Sequence, residues 1–308
     1  MSARVLAVDG GQSGIRLQMS DSSRVIETHG ASRLEGDVLN RVHDLVVAAV
    51  EKEFVDPVDT VVLGLSTSPP DKQEALGIAS KIGQSLGAKR VIVTDDSVTH
   101  HASFFRGSPG IALAIGTGVA CISVGNQKDS MFSVSGYGYL LGDDGGGFSI
   151  GRNALRLALD TQFERPDSKM VELATSRFGS ITALPAQVHS RTRAVNEISQ
   201  FAQEVLKLAT NDQEALSIVE QASLDLAKTV QRAIKAADLT PEAAELAWSG
   251  RLFAHSPLAR ALLENTVSSI IPGLTIRYKD SNPLAGGLWL GEVSDFGPYK
   301  QMIQAWSA

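Results

Sequence analysis

Cysteine is almost absent from this sequence of 308 residues, in which Cys121 stands alone. One thiol cannot form an internal disulfide, so the covalent framework of small secreted domains is excluded, as is a zinc site built from several cysteines. Long apolar runs are also missing, because no stretch reaches the ~18 residues that span a bilayer. The first apolar segment, Val5–Val8, is too short for a secretory signal. These absences predict a cytoplasmic protein that does not associate with membranes.

Positive charge is in the minority, with 28 Lys and Arg against 34 Asp and Glu and a formal net charge of −6. No dense basic run compensates for this, so we expect no nucleic-acid-binding surface. An anionic ligand would instead have to be held by backbone amides, helix ends or a metal ion. The chain is long for one compact core and suits two lobes.

Strand-like and helix-like segments alternate along the chain, and the pattern starts twice. A strand, a glycine turn and a second strand occur within 4–18 and again within 111–124, which indicates two related lobes. The predicted strands are 4–8, 14–18, 24–28, 58–66, 90–94, 111–115, 119–124, 245–249 and 274–278. The predicted helices are 37–54, 72–86, 149–159, most of 169–237, 257–269, 283–293 and 299–306. This order predicts an α/β protein.

The first glycine turn, Asp9-Gly10-Gly11, follows a buried strand. Glycines allow backbone angles that side chains forbid, and successive amides around such a turn form a concave site for phosphate oxygens. The acid would repel phosphate, so its expected role is to hold hydrated Mg²⁺. A plain β-hairpin turn uses the same residue types, and the turn alone supports both interpretations equally.

Two adjacent acids, Asp95 and Asp96, end a second buried strand. A carboxylate in this position can accept the proton of a substrate hydroxyl during phosphoryl transfer. An aspartate before Ser97 also favours the start of a helix as its N-cap. One acid can cap while the other acts on a substrate, and the pair by itself favours the cap.

Glycine is concentrated in the middle of the chain. The turn Gly116-Thr117-Gly118 joins two strands, and its amides and hydroxyl could face phosphate. The segment Gly136–Gly151 then holds seven glycines in sixteen residues, together with Asp143 and Asp144. Such a loop brings backbone close to a ligand, and its acids could accept hydrogen bonds from sugar hydroxyls. The other interpretation is a flexible connecting loop.

The order of these motifs resembles the superfamily of sugar kinases, actin and Hsp70-type ATPases. It is more closely similar to the BadF/BadG/BcrA/BcrD ATPase family, which includes N-acetylglucosamine kinases, and its most specific part is Gly136–Gly147. The resemblance covers the whole chain. It implies a two-lobed actin-like (ribonuclease H-like) α/β fold with a ligand cleft between the lobes. The lobes would be 1–108 and 109–295, with a helical insertion at about 165–240 and a C-terminal helix at 296–308 packing back on the first lobe.

The resemblance also implies a function, namely ATP-dependent phosphorylation of an amino sugar, N-acetylglucosamine or glucosamine, at O6. Asp96 would be the general base and would also contact the sugar, and Asp9 would hold Mg²⁺ through water. The residues expected to bind ATP are Gly10, Gly11, Gln12, Ser13, Gly14, Gly116, Thr117, Gly118, Ala209, Asn211, Gly250, Arg251 and Phe253. Those expected to line the sugar are Gly136, Tyr137 and Asp143. Relatives of this kind suggest a homodimer.

Three departures from the family pattern concern the ligand sites. Ile15 stands where the family has Thr, which would remove a phosphate-facing hydroxyl. Asp144 replaces the usual Glu, and the segment 30–34 lacks the Thr-Asn pair that helps hold the sugar. These changes motivate an alternative, a sugar-binding regulatory protein with little or no turnover. Family members that activate dehydratases through an iron–sulfur cluster need two cysteines per subunit, which a single Cys121 cannot supply.

Overall fold

The computed structural model describes residues 3–11, 14–31, 36–54, 56–66, 68–69, 71–127 and 130–308. Its contacts divide the chain into two compact units. Unit 1 comprises Met1–Pro109, Val124–Met131 and Ser281–Ala308, and unit 2 comprises Gly110–Ser123 and Phe132–Asp280. Within the described part, no helix combines the length and apolar character that crossing a membrane requires.

The strands in chain order are β1 Val5–Gly10, β2 Gly14–Met19, β3 Val25–His29, β4 Thr60–Leu65, β5 Arg90–Asp95, β6 Gly110–Ile115, β7 Val119–Val124, β8 Met131–Ser135, β9 Glu245–Ser249, β10 Thr275–Tyr278 and β11 Gln304–Ser307. The α-helices are α1 Val38–Glu53, α2 Lys72–Leu86, α3 Asp96–Phe105, α4 Gly147–Thr161, α5 Lys169–Phe178, α6 Leu184–Ser190, α7 Ala194–Leu208, α8 Gln213–Ala236, α9 Arg251–Ala254, α10 Pro257–Ile270 and α11 Pro283–Glu292. The α/β class expected from the sequence is confirmed.

Five strands of each sheet follow the same order, and β11 adds a sixth strand at one edge of the sheet in unit 1. In unit 1 the order is β11-β5-β4-β1-β2-β3, and in unit 2 it is β10-β9-β6-β7-β8. In each sheet a hairpin lies on one side of the first strand and two parallel strands lie on the other. The predicted repetition of strand, turn and strand therefore reflects two copies of one sheet topology.

Helix boundaries in unit 1 follow local capping signals. The Asp71 side chain accepts a hydrogen bond from the Glu74 amide at the start of α2. Gly87 ends the same helix with a φ of 64°, a left-handed conformation that costs glycine little. The predicted range 72–86 for this helix is confirmed because both of its ends are encoded next to it.

Helix α11 packs against β1 and α3, which groups it with unit 1. A Cβ atom on Gly286 would lie only 2.8 Å from the backbone nitrogen of Ser103, so the glycine permits the close approach of α11 to α3. The lobe boundary expected from the sequence assigned 281–295 to the second lobe, and the structure moves this segment to unit 1.

The C-terminal segment differs from the helix predicted for 299–306. It forms a short 3-10 helix, Gly297–Met302, and then strand β11, which pairs antiparallel with β5. The Thr94 hydroxyl donates to the Met302 carbonyl at 2.9 Å and helps hold this edge. The prediction was wrong because a free sheet edge, which the local sequence does not reveal, supplies hydrogen-bond partners to a strand.

Tyr299 lies in this 3-10 helix and is fully buried. Its hydroxyl accepts a hydrogen bond from the Gly107 amide at 2.9 Å and contacts His101 Nδ1 at 2.8 Å. The aromatic ring therefore links the C-terminal segment to the end of α3, and the buried histidine is a packed structural residue.

Unit 2 carries the long helical segment predicted for 169–237, which is divided into α5, α6, α7 and α8. These helices bury a continuous apolar core against β6, β9 and α4. Trp248 and Phe253 are among the fully buried side chains of this unit. The sequence analysis did not identify the short strand β8, whose five residues carry little periodic signal.

Candidate active site

The acids of unit 1 meet at one edge of its sheet. β4 pairs in parallel with both β1 and β5, and the registers match Gly10 with Leu65 and Leu65 with Asp95. The carboxyl ends of these three strands therefore coincide, which brings the Asp9 turn together with the pair Asp95 and Asp96. The pKa of Asp96 responds to the charge on Asp9, as expected for neighbouring groups.

The first glycine turn connects β1 to β2 as a hairpin. The Gly11 amide donates to the Gly14 carbonyl at 2.9 Å, and the Ser66 amide donates to the Gly10 carbonyl at 2.9 Å. The hairpin interpretation of this turn is therefore correct as a description of the backbone. Two of the candidate phosphate-binding residues, Gln12 and Ser13, lie outside the described residues.

Asp9 has a partner that the sequence analysis did not identify. Arg16 lies directly opposite Asp9 in the β1–β2 register. Its Nε donates to Asp9 Oδ2 at 3.0 Å, and its Nη2 contacts the same oxygen. Residues directly opposite in an antiparallel pair share a sheet face. The spacing of seven residues between Asp9 and Arg16, across a tight hairpin, was therefore the signal in the sequence that could have predicted this ion pair.

Ile15 occupies the neighbouring position of β2 and is fully buried in the hydrophobic core of unit 1. Successive side chains of a strand point to opposite faces, so Arg16 is on the face of Asp9 and Ile15 is not. The family departure at Ile15 therefore changes the packing of the core. Because residue 15 points into the core, the replacement of Thr by Ile at this position does not remove a hydroxyl that would face phosphate.

The two adjacent acids have different environments. Asp95 is the N-cap of α3, and its carboxylate accepts hydrogen bonds from the Ser97 amide at 3.0 Å and the Ser68 hydroxyl at 2.8 Å. Asp96 is the first residue of the helix and is only partly buried. Burial, followed by the negative charges of Asp95 and Asp9, raises the pKa of Asp96 to about 8. Asp95 therefore has the structural role, and Asp96 is the candidate base.

Magnesium binding was tested against the side chains present. Among the residues that the structure describes, no three His, Cys, Asp or Glu side chains converge closely enough to hold a metal directly. Mg²⁺ commonly keeps several water molecules and binds proteins through one or two carboxylates. Burial is the main cause of the raised pKa of Asp96, and the negative charges of Asp95 and Asp9 add to it. One or two carboxylates at this edge would suit a hydrated ion, and the expected role of Asp9 in holding it stays a prediction.

In unit 2, the turn Gly116-Thr117-Gly118 is bound to the start of α4. The Gly147 amide donates to the Gly116 carbonyl and the Phe148 amide to the Thr117 carbonyl, each at 2.9 Å. The Ser199 hydroxyl of α7 lies 3.2 Å from the Thr117 hydroxyl. The structure thus brings the second glycine turn and the end of the glycine-rich loop together, and it adds Ser199, for which the sequence held no signal.

Asp143 is the acid of the glycine-rich loop that approaches this turn. A Cβ atom on Gly118 would lie 2.7 Å from the Asp143 carboxyl carbon, so a larger residue there would displace the Asp143 side chain. Asp143 has a φ of 64°, a conformation that is uncommon for residues other than glycine. Burial raises the pKa of Asp143 although backbone amides of Val119 and Gly138 act to lower it. Its Oδ1 is buried without a hydrogen-bond partner among the described residues.

The first part of this loop, 136–141, is exposed, whereas its last part, 145–151, is buried. Tyr137 is 58% exposed, and a Cβ atom on Gly136 would meet nothing within 4 Å. Asp144 lies 3.9 Å from the guanidinium of Arg152 on α4. The three residues expected to line a sugar therefore comprise an open glycine, an exposed aromatic ring and a partly buried acid.

The residues expected near adenosine fall into two groups. Gly250 follows β9, has a φ of 144° and approaches the Ile115 backbone, so Gly250 and Arg251 lie beside the Gly116 turn. Asn211 is exposed between α7 and α8. Phe253 and Ala209, in contrast, are buried in the core of unit 2. Their side chains support the fold and do not present a surface to a ligand.

Comparisons with known proteins agree with this architecture. No protein-family model matches the sequence. An N-acetylmuramic acid/N-acetylglucosamine kinase from Clostridium acetobutylicum is 26% identical over 177 residues, a match that spans 54% of this chain and 57% of that protein. The chain thus covers little more than half the length of this curated relative.

Solved structures resemble the chain over almost its whole length. A proposed N-acetylglucosamine kinase from Chromobacterium violaceum has a TM-score of 0.72 at 22% identity and is matched over 94% of this chain and 99% of its own. A ROK family glucokinase from Streptomyces griseus, in complex with glucose and AMPPNP, has a TM-score of 0.59 at 15% identity, with 94% and 98% covered. These likenesses confirm the predicted two-domain fold of sugar kinases and actin-like ATPases.

Proposed function

We propose that this chain catalyses the ATP-dependent phosphorylation of a sugar hydroxyl. The observation that carries the proposal is Asp96, a partly buried acid with a raised pKa at the edge where the first glycine turn and Asp9 also lie. The fold supports it, because a structural neighbour with this fold was solved in complex with glucose and AMPPNP. The matched kinase from Clostridium acetobutylicum is named for two amino sugars.

In the proposed step, Asp96 accepts the proton of the acceptor hydroxyl as that oxygen attacks the terminal phosphorus of ATP. The new oxygen–phosphorus bond forms while the bond from phosphorus to the bridging oxygen of ADP breaks. A pKa of about 8 suits this role because an effective general base has a pKa near the working pH. Magnesium bound near Asp9 would supply neutralisation of phosphate charge.

Each unit carries one glycine turn that would bind phosphate oxygens. In unit 1 this is the hairpin from Gly10 to Gly14, and in unit 2 it is the turn of Gly116-Thr117-Gly118, with the Thr117 hydroxyl as an additional donor. Backbone amides suit this task in a chain with a net charge of −6, because they bind an anion without added positive charge. Gly250, Arg251 and Asn211 remain the candidates for the adenosine end.

An amino sugar, N-acetylglucosamine or glucosamine phosphorylated at O6, is the proposed acceptor. The names of the relatives support this choice. Asp143 supports it chemically, because a buried carboxylate oxygen without a partner is suited to accept a hydrogen bond from a sugar hydroxyl. Tyr137 offers an exposed ring beside it.

The test compares the two adjacent acids. In Asp96→Asn we expect ADP release to fall by about two orders of magnitude or more while AMPPNP binding is retained, because only the base is lost. Asp95→Asn is the matched control, since asparagine also caps helices, and its turnover should stay within about tenfold of wild type. Near-normal turnover in Asp96→Asn would remove Asp96 from the proposed role.

A sugar-binding regulator with little turnover is the second candidate. The observation in its favour is that Arg16 already occupies one oxygen of Asp9, the expected metal-binding acid. A panel of amino sugars, neutral hexoses and anhydro-sugars separates the two functions when both sugar binding and ADP release are measured. Sugar-dependent ADP release excludes the regulator, whereas tight sugar binding without ADP release excludes the kinase.

A further inference from the structure

The Arg16–Asp9 pair differs in geometry from a tightly held ion pair. Both contacting nitrogens of Arg16 share a single oxygen, Asp9 Oδ2. The stronger arrangement of arginine with a carboxylate places two parallel hydrogen bonds on two oxygens. The Arg16 side chain is also 43% exposed, whereas that of Asp9 is 15% exposed. The more exposed member of this part-buried pair is therefore the guanidinium, so a ligand arriving from solvent can offer it a second partner.

The surroundings of this pair are unfavourable for a nucleotide. Asp9, Asp95 and Asp96 lie at one sheet edge, and each of these carboxyl groups would repel a triphosphate when it is ionised. Arg16 is a cation on the face of Asp9, two residues after Gly14, where the glycine turn ends. A guanidinium binds a phosphate group through two parallel hydrogen bonds, and arginine is the residue that most often provides this recognition.

We propose that Arg16 is a nucleotide-binding residue whose guanidinium leaves Asp9 and pairs with the terminal phosphate of bound ATP. This inference rests on the proposed kinase function. In this structure Arg16 neutralises Asp9, and in the complex with ATP the same charge would neutralise phosphate. Asp9 is thereby uncovered only when a terminal phosphate is present, so its carboxylate becomes available to a hydrated cation at the same moment.

The inference predicts discrimination between nucleotides. ADP lacks the terminal phosphate, so it would leave Arg16 on Asp9. The Arg16→Gln variant should therefore bind AMPPNP about tenfold or more weakly than wild type, whereas its affinity for ADP should change by less than about twofold. Isothermal titration calorimetry of the full chain measures both affinities without any need for turnover.

A matched control exists in the same sheet. Arg24 lies just before β3 and pairs with Glu53 at 2.7 Å, away from the glycine turn. The Arg24→Gln variant removes an arginine–carboxylate pair of the same type, and both nucleotide affinities should remain at their wild-type values. Arg16→Lys keeps the charge but loses the planar donor pair, so its AMPPNP affinity should lie between those of wild type and Arg16→Gln.

A second measurement addresses the carboxylate directly. Binding of Mn²⁺ without nucleotide, followed by electron paramagnetic resonance, should become several-fold tighter in Arg16→Gln because Asp9 is no longer neutralised. The inference is overturned if AMPPNP and ADP lose affinity equally, or if Arg16→Gln binds AMPPNP as well as wild type does. If the wild-type chain binds no AMPPNP at all, the proposed kinase function fails as well. A circular dichroism melt of each variant verifies folding, and Arg16→Lys supplies the comparison if Arg16→Gln does not fold.

Discussion

Replacement of Asp96 by asparagine is expected to stabilise the unliganded protein at alkaline pH even though it removes the candidate base. Burial and the charges of Asp95 and Asp9 raise the pKa of Asp96 from its ordinary value of 3.8 to about 8. Between these two values the folded protein binds a proton that the unfolded chain has released. The free energy of unfolding of the wild type therefore falls as the pH rises through this range, and it levels off above about pH 8, where the folded protein has lost the proton as well.

The magnitude follows from the pKa difference. Each unit corresponds to about 1.4 kcal/mol, so a difference of about four units sets an upper limit of ~6 kcal/mol. Water screens a partly exposed carboxylate, so we expect roughly 2–4 kcal/mol in favour of Asp96→Asn at about pH 9. Below about pH 3.8 the carboxyl group is protonated in both the folded and the unfolded wild type and is neutral like the asparagine amide, so the stability difference between the two proteins should shrink toward zero as the pH falls to that value.

The assay is urea unfolding of both proteins across this pH range, followed by circular dichroism in the absence of nucleotide. Glu51→Gln is the control, because Glu51 is an exposed acid on α1 of the same unit. Its difference from wild type should be small at every pH. A stability difference between Asp96→Asn and wild type that does not change with pH would refute the raised pKa, as would greater stability of the wild type at about pH 9.

The remaining predictions concern packing around the two candidate ligand-binding regions and at the C-terminus. Gly118→Ala should destabilise unit 2 by about 1–3 kcal/mol because its Cβ atom would collide with the Asp143 carboxylate. Gly116→Ala is the control, because a Cβ atom there would meet nothing within 4 Å. Equal melting temperatures of the two variants would contradict this prediction. Ile15→Thr should cost about 1–3 kcal/mol in urea unfolding and leave AMPPNP affinity unchanged, and a gain in affinity would count against the buried position of this side chain. Tyr299→Phe should cost about 1–3 kcal/mol because it leaves a buried amide without its acceptor. Tyr278→Phe, whose hydroxyl contact is exposed, should change stability by less than about 0.5 kcal/mol, and a cost equal to that of Tyr299→Phe would contradict the buried hydrogen bond.

Local signals in the sequence were sufficient for much of the fold. The range of α2 could be predicted because Asp71 and Gly87 mark its two ends. The repeated strand, turn and strand indicated two related sheets, and five strands of each sheet share one order. These features depend on residues that are close together in the chain, where capping, backbone freedom and side-chain periodicity act directly.

Features that depend on distant partners could not be predicted in the same way. The segment 299–306 was expected to be a helix, yet the free edge of β5 makes its last part a strand. The expected lobe boundary did not anticipate that α11 packs against α3. In both cases the deciding contact joins residues that are far apart in the sequence.

The aspartates at the edge of the sheet in unit 1 show most clearly what the sequence can predict and what depends on the tertiary structure. The sequence by itself determined that carboxylates follow two buried strands and that a glycine turn adjoins one of them. It could not decide which member of the pair Asp95 and Asp96 caps the helix, or that Arg16 neutralises Asp9. The tertiary structure decided these roles, because Ser68 bonds to Asp95 and leaves Asp96 as the acid whose charge is unfavourable. The function of a carboxylate depends on its hydrogen-bond partners and neighbouring charges, and folding brings those together from separate parts of the chain.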